Sequence, residues 1–213
     1  YFETFSKFIS LEVYSIFFSV LCLLLLINAF NLIDGINGLG IIISIIWMSY
    51  IFIYYNDINF SFLILIMTLI IILPFNLNGS FFLGDSGSIL IGSIIGSFFI
   101  THYNQEQWIF NSKPVEEIFI LFMVPGIDMF RLFVERILKR KNPFSSDSNH
   151  LHHYLIRKFS LKITLTIYTF MILLPLVIYN LKILPSYLII CLSLLIYLII
   201  LFYFKKSISY KDQ

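Results

Sequence analysis

The sequence predicts an all-α fold, a polytopic helical membrane protein with about seven transmembrane helices. Three observations carry that prediction. Hydrophobic residues fill 59% of the 213 positions and charged residues only 12%, about half the charge of a soluble domain. The apolar runs reach about 17–23 residues, enough to cross roughly 30 Å as helix, whereas barrel strands would alternate over about ten. Asp34, Asn37, Asp85, Asp147, His150, His152 and His153, finally, gather in three short stations between apolar runs.

The elements follow in order. Apolar runs place spans near 11–30, 39–55, 59–75, 88–103, 115–134, 162–180 and 184–204, all within a single integral membrane domain, 1–213. Pro74, Pro125 and Pro175 fall in or at the ends of spans, where neighbouring helices can satisfy the freed carbonyls. Connections are short except for a basic, histidine-rich loop over 135–161. Cys22 and Cys191 lie inside apolar runs and read as small lipid- or helix-facing residues, not as a disulfide or metal pair.

Alternating the spans sorts the loops onto two faces. Eleven of the fourteen Lys and Arg residues then fall on one face, among them Arg131, Arg136, Lys139, Arg157 and Lys205. Only Lys7, Lys113 and Lys182 fall on the other, so the basic face is expected to be cytoplasmic. The basic run 136–141 is a topology signal on this reading, and nucleic acid is excluded as a partner because no soluble domain presents it.

The first station is NAFNLIDGINGLG, residues 28–40. Asn28, Asn31 and Asp34 recur at steps of three, so they share roughly one side of a helix end. Gly35, Gly38 and Gly40 permit sharp turning or close approach of a ligand. An ionised Asp deep in a bilayer costs roughly 2.5–3.5 kcal/mol, which places the station at a surface or in a polar site. An ordinary capped helix end explains this stretch alone about as well.

The second station, FFLGDSGSILIG, holds Asp85, the sole acidic residue between Asp57 and Glu106. A glycine loop opening a helix can hold phosphate on free N–H groups while the Asp takes a cation, although Asp85 or Ser86 would also serve as an N-cap. The third station ends KNPFSSDSNHLHHYL, with Asp147 and with His150, His152 and His153 crowded into four positions. Their spacing does not match the i, i+4 zinc pair, and contact with an anion or a sugar suits them better than a metal. An acidic cation ligand, glycine loops and a basic histidine segment together make a phosphoryl-transfer kit at a bilayer surface.

These three stretches, in this order, resemble the polyprenyl-phosphate N-acetylhexosamine-1-phosphate transferases of glycosyltransferase family 4. The form of the histidine segment is similar to the branch that initiates O-antigen and common-antigen synthesis with UDP-GlcNAc and undecaprenyl phosphate. The resemblance implies transfer of N-acetylhexosamine-1-phosphate from a UDP-sugar to polyprenyl phosphate with release of UMP. That is a first membrane step of cell-surface polysaccharide synthesis. It implies a magnesium cofactor, with manganese as a second candidate, held by Asp85 and Asn31. Asp34 and Asp85 become catalytic candidates, Phe82 a stacking partner for uracil, and Gly35, Asn37 and Gly38 nucleotide neighbours. His150, His152, His153 and Arg136 are carried over to the pyrophosphate and sugar, and Asn28 is a further polar site residue. The expected setting is a bacterial inner membrane with a cytoplasmic active site and C-terminus, and a homodimer is compatible with it.

Two departures from the family pattern stand out. Asn37 occupies a position that is commonly Asp in bacterial members. The family also carries a paired-aspartate motif on an earlier cytoplasmic loop, and no adjacent Asp pair occurs in this sequence. The chain begins at Tyr1, so the expectation is that it matches the last seven of about eleven family spans and lacks part of the active site. Two other function classes compete. A transporter would need polar residues at the midplane, and a non-catalytic relative would bind nucleotide sugar without turning it over.

Overall fold

The computed structural model describes residues 13–55, 60–103, 115–143 and 149–209. Eight helices occur among them: α1 Tyr14–Ile33, α2 Leu39–Tyr54, α3 Phe60–Leu77, α4 Gly84–Tyr103, α5 Val115–Leu138, α6 Leu151–Ile156, α7 Leu161–Asn180 and α8 Ser186–Ser209. Strands are absent from the described residues. Asp147, Lys7 and Lys113, used in the sequence reading, lie outside them.

Five stretches are long and apolar enough to cross a membrane: Tyr14–Ile33, Phe60–Leu77, Gly84–Thr101, Leu161–Asn180 and Ser186–Lys205. This is a multi-pass helical membrane protein. Two of the seven expected spans differ from these five for separate reasons. The 16 residues of α2 reach only about 24 Å at 1.5 Å per residue. Helix α5 is long enough, but Glu116, Glu117, Asp128, Arg131, Glu135 and Arg136 break its apolar character. Outward faces elsewhere are apolar, with Phe17, Leu24, Ile71, Phe75 and Phe202 all exposed, as lipid-facing positions require. Cys22 and Cys191 are free and exposed.

The chain divides into two compact units, 16–106 and 107–213, the latter joined by residues 1–15. In the first, α2 is the central helix, with Leu39, Ile41, Ile43, Trp47 and Met48 all fully buried, and it packs on α3 and α4. Helices α1 and α4 approach closely because α4 lacks side chains where they meet. A Cβ at Gly92 would lie 3.2 Å from the Ile27 backbone, and one at Gly96 would collide with Leu23. Gly92 and Gly96 form a G-x-x-x-G pair, the spacing that lets membrane helices pack backbone to backbone. The ladder Leu23–Gly96, Ile27–Gly92 continues one turn further to Asn31 and Ser88, whose side chains are 2.8 Å apart. Close antiparallel packing therefore delivers a polar pair at the end of the seam.

In the second unit α5, α7 and α8 pack on one another and the short α6 rests on α7 and α8. Tyr168 and Tyr197 are its largest fully buried side chains. Pro125 and Pro175 are buried within α5 and α7, which continue through them.

Candidate functional site

The first two stations meet in one place. Asn31, near the end of α1, donates from Nδ2 to Asp85 Oδ1 at 3.1 Å and to Ser88 Oγ at 2.8 Å, both in the first turns of α4. The motif GDSGS opens the helix itself, because α4 begins at Gly84, four residues before the sequence reading places its span. Gly84 adopts φ 65°, a left-handed turn that glycine makes without strain, and it aims the Asp85 turn at α1.

A cavity of about 240 Å³ opens beside this pair. Asn31, Asp34, Gly35, Asn37, Phe82 and Asp85 line it, so six of the residues singled out in sequence share one space. Asp85 and Gly35 are exposed, Asp34 and Asn37 are half-buried, and Phe82 is 65% exposed with its ring free to stack. Gly38 stands behind the wall: it is buried, its φ is 85°, and its N–H is donated to Asn76 Oδ1. Asn28 is exposed one turn back along α1.

Asn76 was not among the sequence candidates. Only 3% exposed, it takes the Gly38 N–H on its oxygen and donates from Nδ2 to the Phe81 carbonyl at 2.9 Å. One amide thus joins the loop before α2 to the loop before α4 and holds the two walls of the cavity together. An Asn closing an apolar run, in the stretch FNLNGS, was the available signal. Gly40 has a related role, since a Cβ there would strike the Asp34 carboxylate.

The electrostatics of the cavity favour a cation. Partial burial, and then the neighbouring Asp85 carboxylate, push the Asp34 pKa up to about 6. Two carboxylates facing one space repel, and a divalent cation would relieve that repulsion. Magnesium accepts one or two carboxylates and otherwise keeps water and substrate phosphate oxygens, so Asp34 and Asp85 suit it. Asn31 could join through its Oδ1, exchanging its present hydrogen bond to Asp85 for ligation. Clusters of three or more His, Cys, Asp or Glu side chains suited to a metal are absent among the described residues.

The third station belongs to the other unit and has a different character. His150 is 3% exposed and His152 fully buried, while His153 is half-buried. His150 Nδ1 lies 2.9 Å from Asp128 Oδ2. The His152 ring is stacked parallel to His150 at 5.4 Å, and burial, then the adjoining histidines, drive its pKa down to about 3. Neither ring nitrogen of His152 has a hydrogen-bond partner among the described residues. Arg136 is 7% exposed and donates to the Pro143 carbonyl at 2.8 Å, pinning the turn after α5.

The charges that interrupt α5 explain this order. Asp128, Arg131, Glu135 and Lys139 recur at three- and four-residue steps and pair along one face of the helix. Arg131 also donates to the Asn149 carbonyl at 2.6 Å, and Lys205 of α8 reaches Glu135 at 2.8 Å. Asp128 was another residue that sequence reasoning passed over. A carboxylate well inside an apolar run was its signal.

Comparison with known proteins agrees with the motifs. Residues 2–103 match the family described as glycosyl transferase family 4. The chain is 33% identical over 134 residues to an undecaprenyl-phosphate alpha-N-acetylglucosaminyl 1-phosphate transferase of Thermotoga maritima, covering 62% of this chain and 40% of that protein. Proteins of the same description from Yersinia pestis and Escherichia coli K12 are each 32% identical, over 143 and 142 residues, covering 62% of this chain and 38% of each relative. The chain thus spans about 40% of the length of these curated relatives. No solved structure gives a significant match. The resemblance read from the three motifs is therefore borne out: in residues 2–103 the chain matches glycosyl transferase family 4, and its curated relatives are sugar-1-phosphate transferases acting on undecaprenyl phosphate.

Proposed function

We propose that this protein transfers N-acetylhexosamine-1-phosphate from a UDP-sugar, UDP-GlcNAc first among the candidates, to polyprenyl phosphate in a bacterial inner membrane. An oxygen of the lipid phosphate attacks the β-phosphorus. The new O–P bond forms as the bond from that phosphorus to the bridging oxygen breaks, and the bridging oxygen leaves on UMP. The observation that carries this reading is the Asn31–Asp85 contact, which joins two motifs 54 residues apart at a cavity with Asp34 and Phe82.

Roles follow from position. Asp85 and Asp34 would hold magnesium, with Asn31 as a third candidate ligand. When bound, the ion would offset the charge of the reacting phosphates. Exposed Phe82 offers its face to uracil, and Gly35 and Asn37 offer polar contacts to the uridine. Gly38 supports them from behind through Asn76. His153 is the least buried of the three histidines and, with His150, is a candidate contact for a phosphate. His152 and Arg136 would set the shape of that segment from within. The apolar outer faces would hold the prenyl chain, so that positioning itself contributes to rate. The excess of basic residues on one face supports a cytoplasmic reacting face.

The test is UMP release by detergent-solubilised protein with undecaprenyl phosphate, magnesium and a panel of UDP-N-acetylhexosamines. It is run on this chain and on the gene product with any upstream sequence included. Transfer of one sugar by the longer form is expected. Folded protein that releases no UMP with any sugar in either form would overturn the reading.

A further inference from the structure

We propose that Asp128 is a positioning residue for the histidine segment. Its buried carboxylate holds the His150 ring by Nδ1–H and so leaves Nε2 as the ring atom for a substrate phosphate. The inference rests on the transferase reading for the substrate, but not for the geometry.

Four donors converge on this one carboxylate. Tyr197 Oη of α8 donates to it at 2.6 Å, His150 Nδ1 at 2.9 Å, Arg131 of α5 at 3.0 Å and the Leu151 backbone N–H at 3.2 Å. An ionised carboxylate has about four lone-pair sites, and all are engaged here. Asp128, only 1% exposed, therefore has nothing left for a ligand of its own. Its effect must pass through what it holds.

What it holds is a ring and the backbone directly after it. A carboxylate can only accept, so the proton at the shared position sits on His150 Nδ1. The Leu151 N–H belongs to the first residue of α6, whose preceding residue, His150, makes no side-chain cap of its own. Asp128 supplies that cap from α5, 23 residues away in sequence. Ring tautomer, ring orientation and the start of α6 are thus set by a single group. Arg131 reinforces the arrangement by binding the Asn149 carbonyl on the other side of the histidine.

The experiment uses full-length protein labelled with ¹⁵N-histidine, its spectrum assigned by His150→Gln. The expected His150 signal has a protonated Nδ1. An Nε2–H tautomer with an unprotonated Nδ1 would overturn the proposal without any variant having to fold. In Asp128→Asn, one amide oxygen must serve four donors, so the proton is expected to spread over both ring nitrogens. Turnover should fall about tenfold or more, with KM for the UDP-sugar changed less than about threefold. Tyr197→Phe removes one donor from the same carboxylate and should keep the Nδ1–H tautomer. If Asp128→Asn keeps both tautomer and turnover, or Tyr197→Phe loses both, Asp128 does not position His150. Absence of transfer by the wild type with every sugar counts against the transferase, while the tautomer still decides the role of Asp128.

Discussion

Asp85 and Asp128 are the same residue in opposite states. Asp128 is enclosed, with a ring N–H, a phenol, a guanidinium and a backbone amide all turned toward it. Asp85 is exposed, receives one amide hydrogen bond at 3.1 Å, and shares its cavity with a second carboxylate. Saturation with donors makes a carboxylate a structural hub, whereas a shortage of them leaves charge for a ligand to neutralise. The contrast separates the residues expected to cost activity from those expected to cost the fold.

Replacing each acid tests that division most sharply. Asp85→Asn should lower transfer by about a hundredfold or more, because charge stabilisation at the phosphates is lost. Its thermal midpoint in detergent should barely move. Asp128→Ala should do the reverse at the level of folding, leaving His150 Nδ1, Tyr197 Oη and the Leu151 N–H without their shared acceptor at a cost of about 3–5 kcal/mol. Denaturation in mixed micelles measures it. A stable Asp128→Ala protein, or an unfolded Asp85→Asn one, would break the comparison.

The seam that brings Asn31 to Asp85 should show an intermediate effect. Gly92→Val puts methyl groups against the Ile27 backbone, where even a Cβ sits at 3.2 Å. Separating α1 from α4 should cost about 1–3 kcal/mol and weaken nucleotide binding along with stability. Equilibrium binding of UDP by the purified variant would check it. Affinity equal to wild type would mean that the cavity does not depend on the seam.

Acidity distinguishes the two regions by sign. The raised pKa of Asp34 means that the folded chain binds more protons than the unfolded chain between about pH 3.8 and 6. That contribution is fully present below 3.8 and is lost as pH rises through 6. His152 works the other way, with a folded pKa of about 3 against 6.5. Its contribution is present above 6.5 and is lost as pH falls toward 3. Unfolding of Asp34→Asn should therefore lose the first dependence, and that of His152→Gln the second. Magnesium should flatten only the dependence due to Asp34.

Much of this was legible in the sequence, for physical reasons. Long apolar runs cannot hide, and polar residues near a bilayer are costly enough to mark a site, so Asn31, Asp34 and Asp85 could be named before they were seen together, while Phe82 was named by the family resemblance alone. Asn76, Gly92 and Gly96 were in plain view but carry their meaning in pairs: one amide spans two loops, and two glycines matter only because Leu23 and Ile27 lie opposite. The histidine segment shows a different gap. Its composition signals chemistry, yet His152 is wholly inside, and spacing of two and three residues cannot reveal which ring turns inward. Asp128, read as part of a span, is the residue that decides it.

The smallest effect expected is the most informative about the cavity. Asn37→Asp would add a third carboxylate to the space lined by Asp34 and Asp85, and without a cation it should raise the Asp34 pKa further. Aspartate has almost the shape and volume of asparagine, so the exchange itself disturbs no packing. With magnesium present, transfer should change by no more than about twofold to threefold, the range of a substitution that disturbs no packing. With magnesium limiting, the variant should need less of the ion for half-maximal rate, because a further negative group attracts it. A titration of rate against magnesium reads both. If Asn37→Asp abolishes UDP binding at saturating magnesium, Asn37 contacts the nucleotide through its amide N–H₂, and the cavity is selective there rather than merely polar.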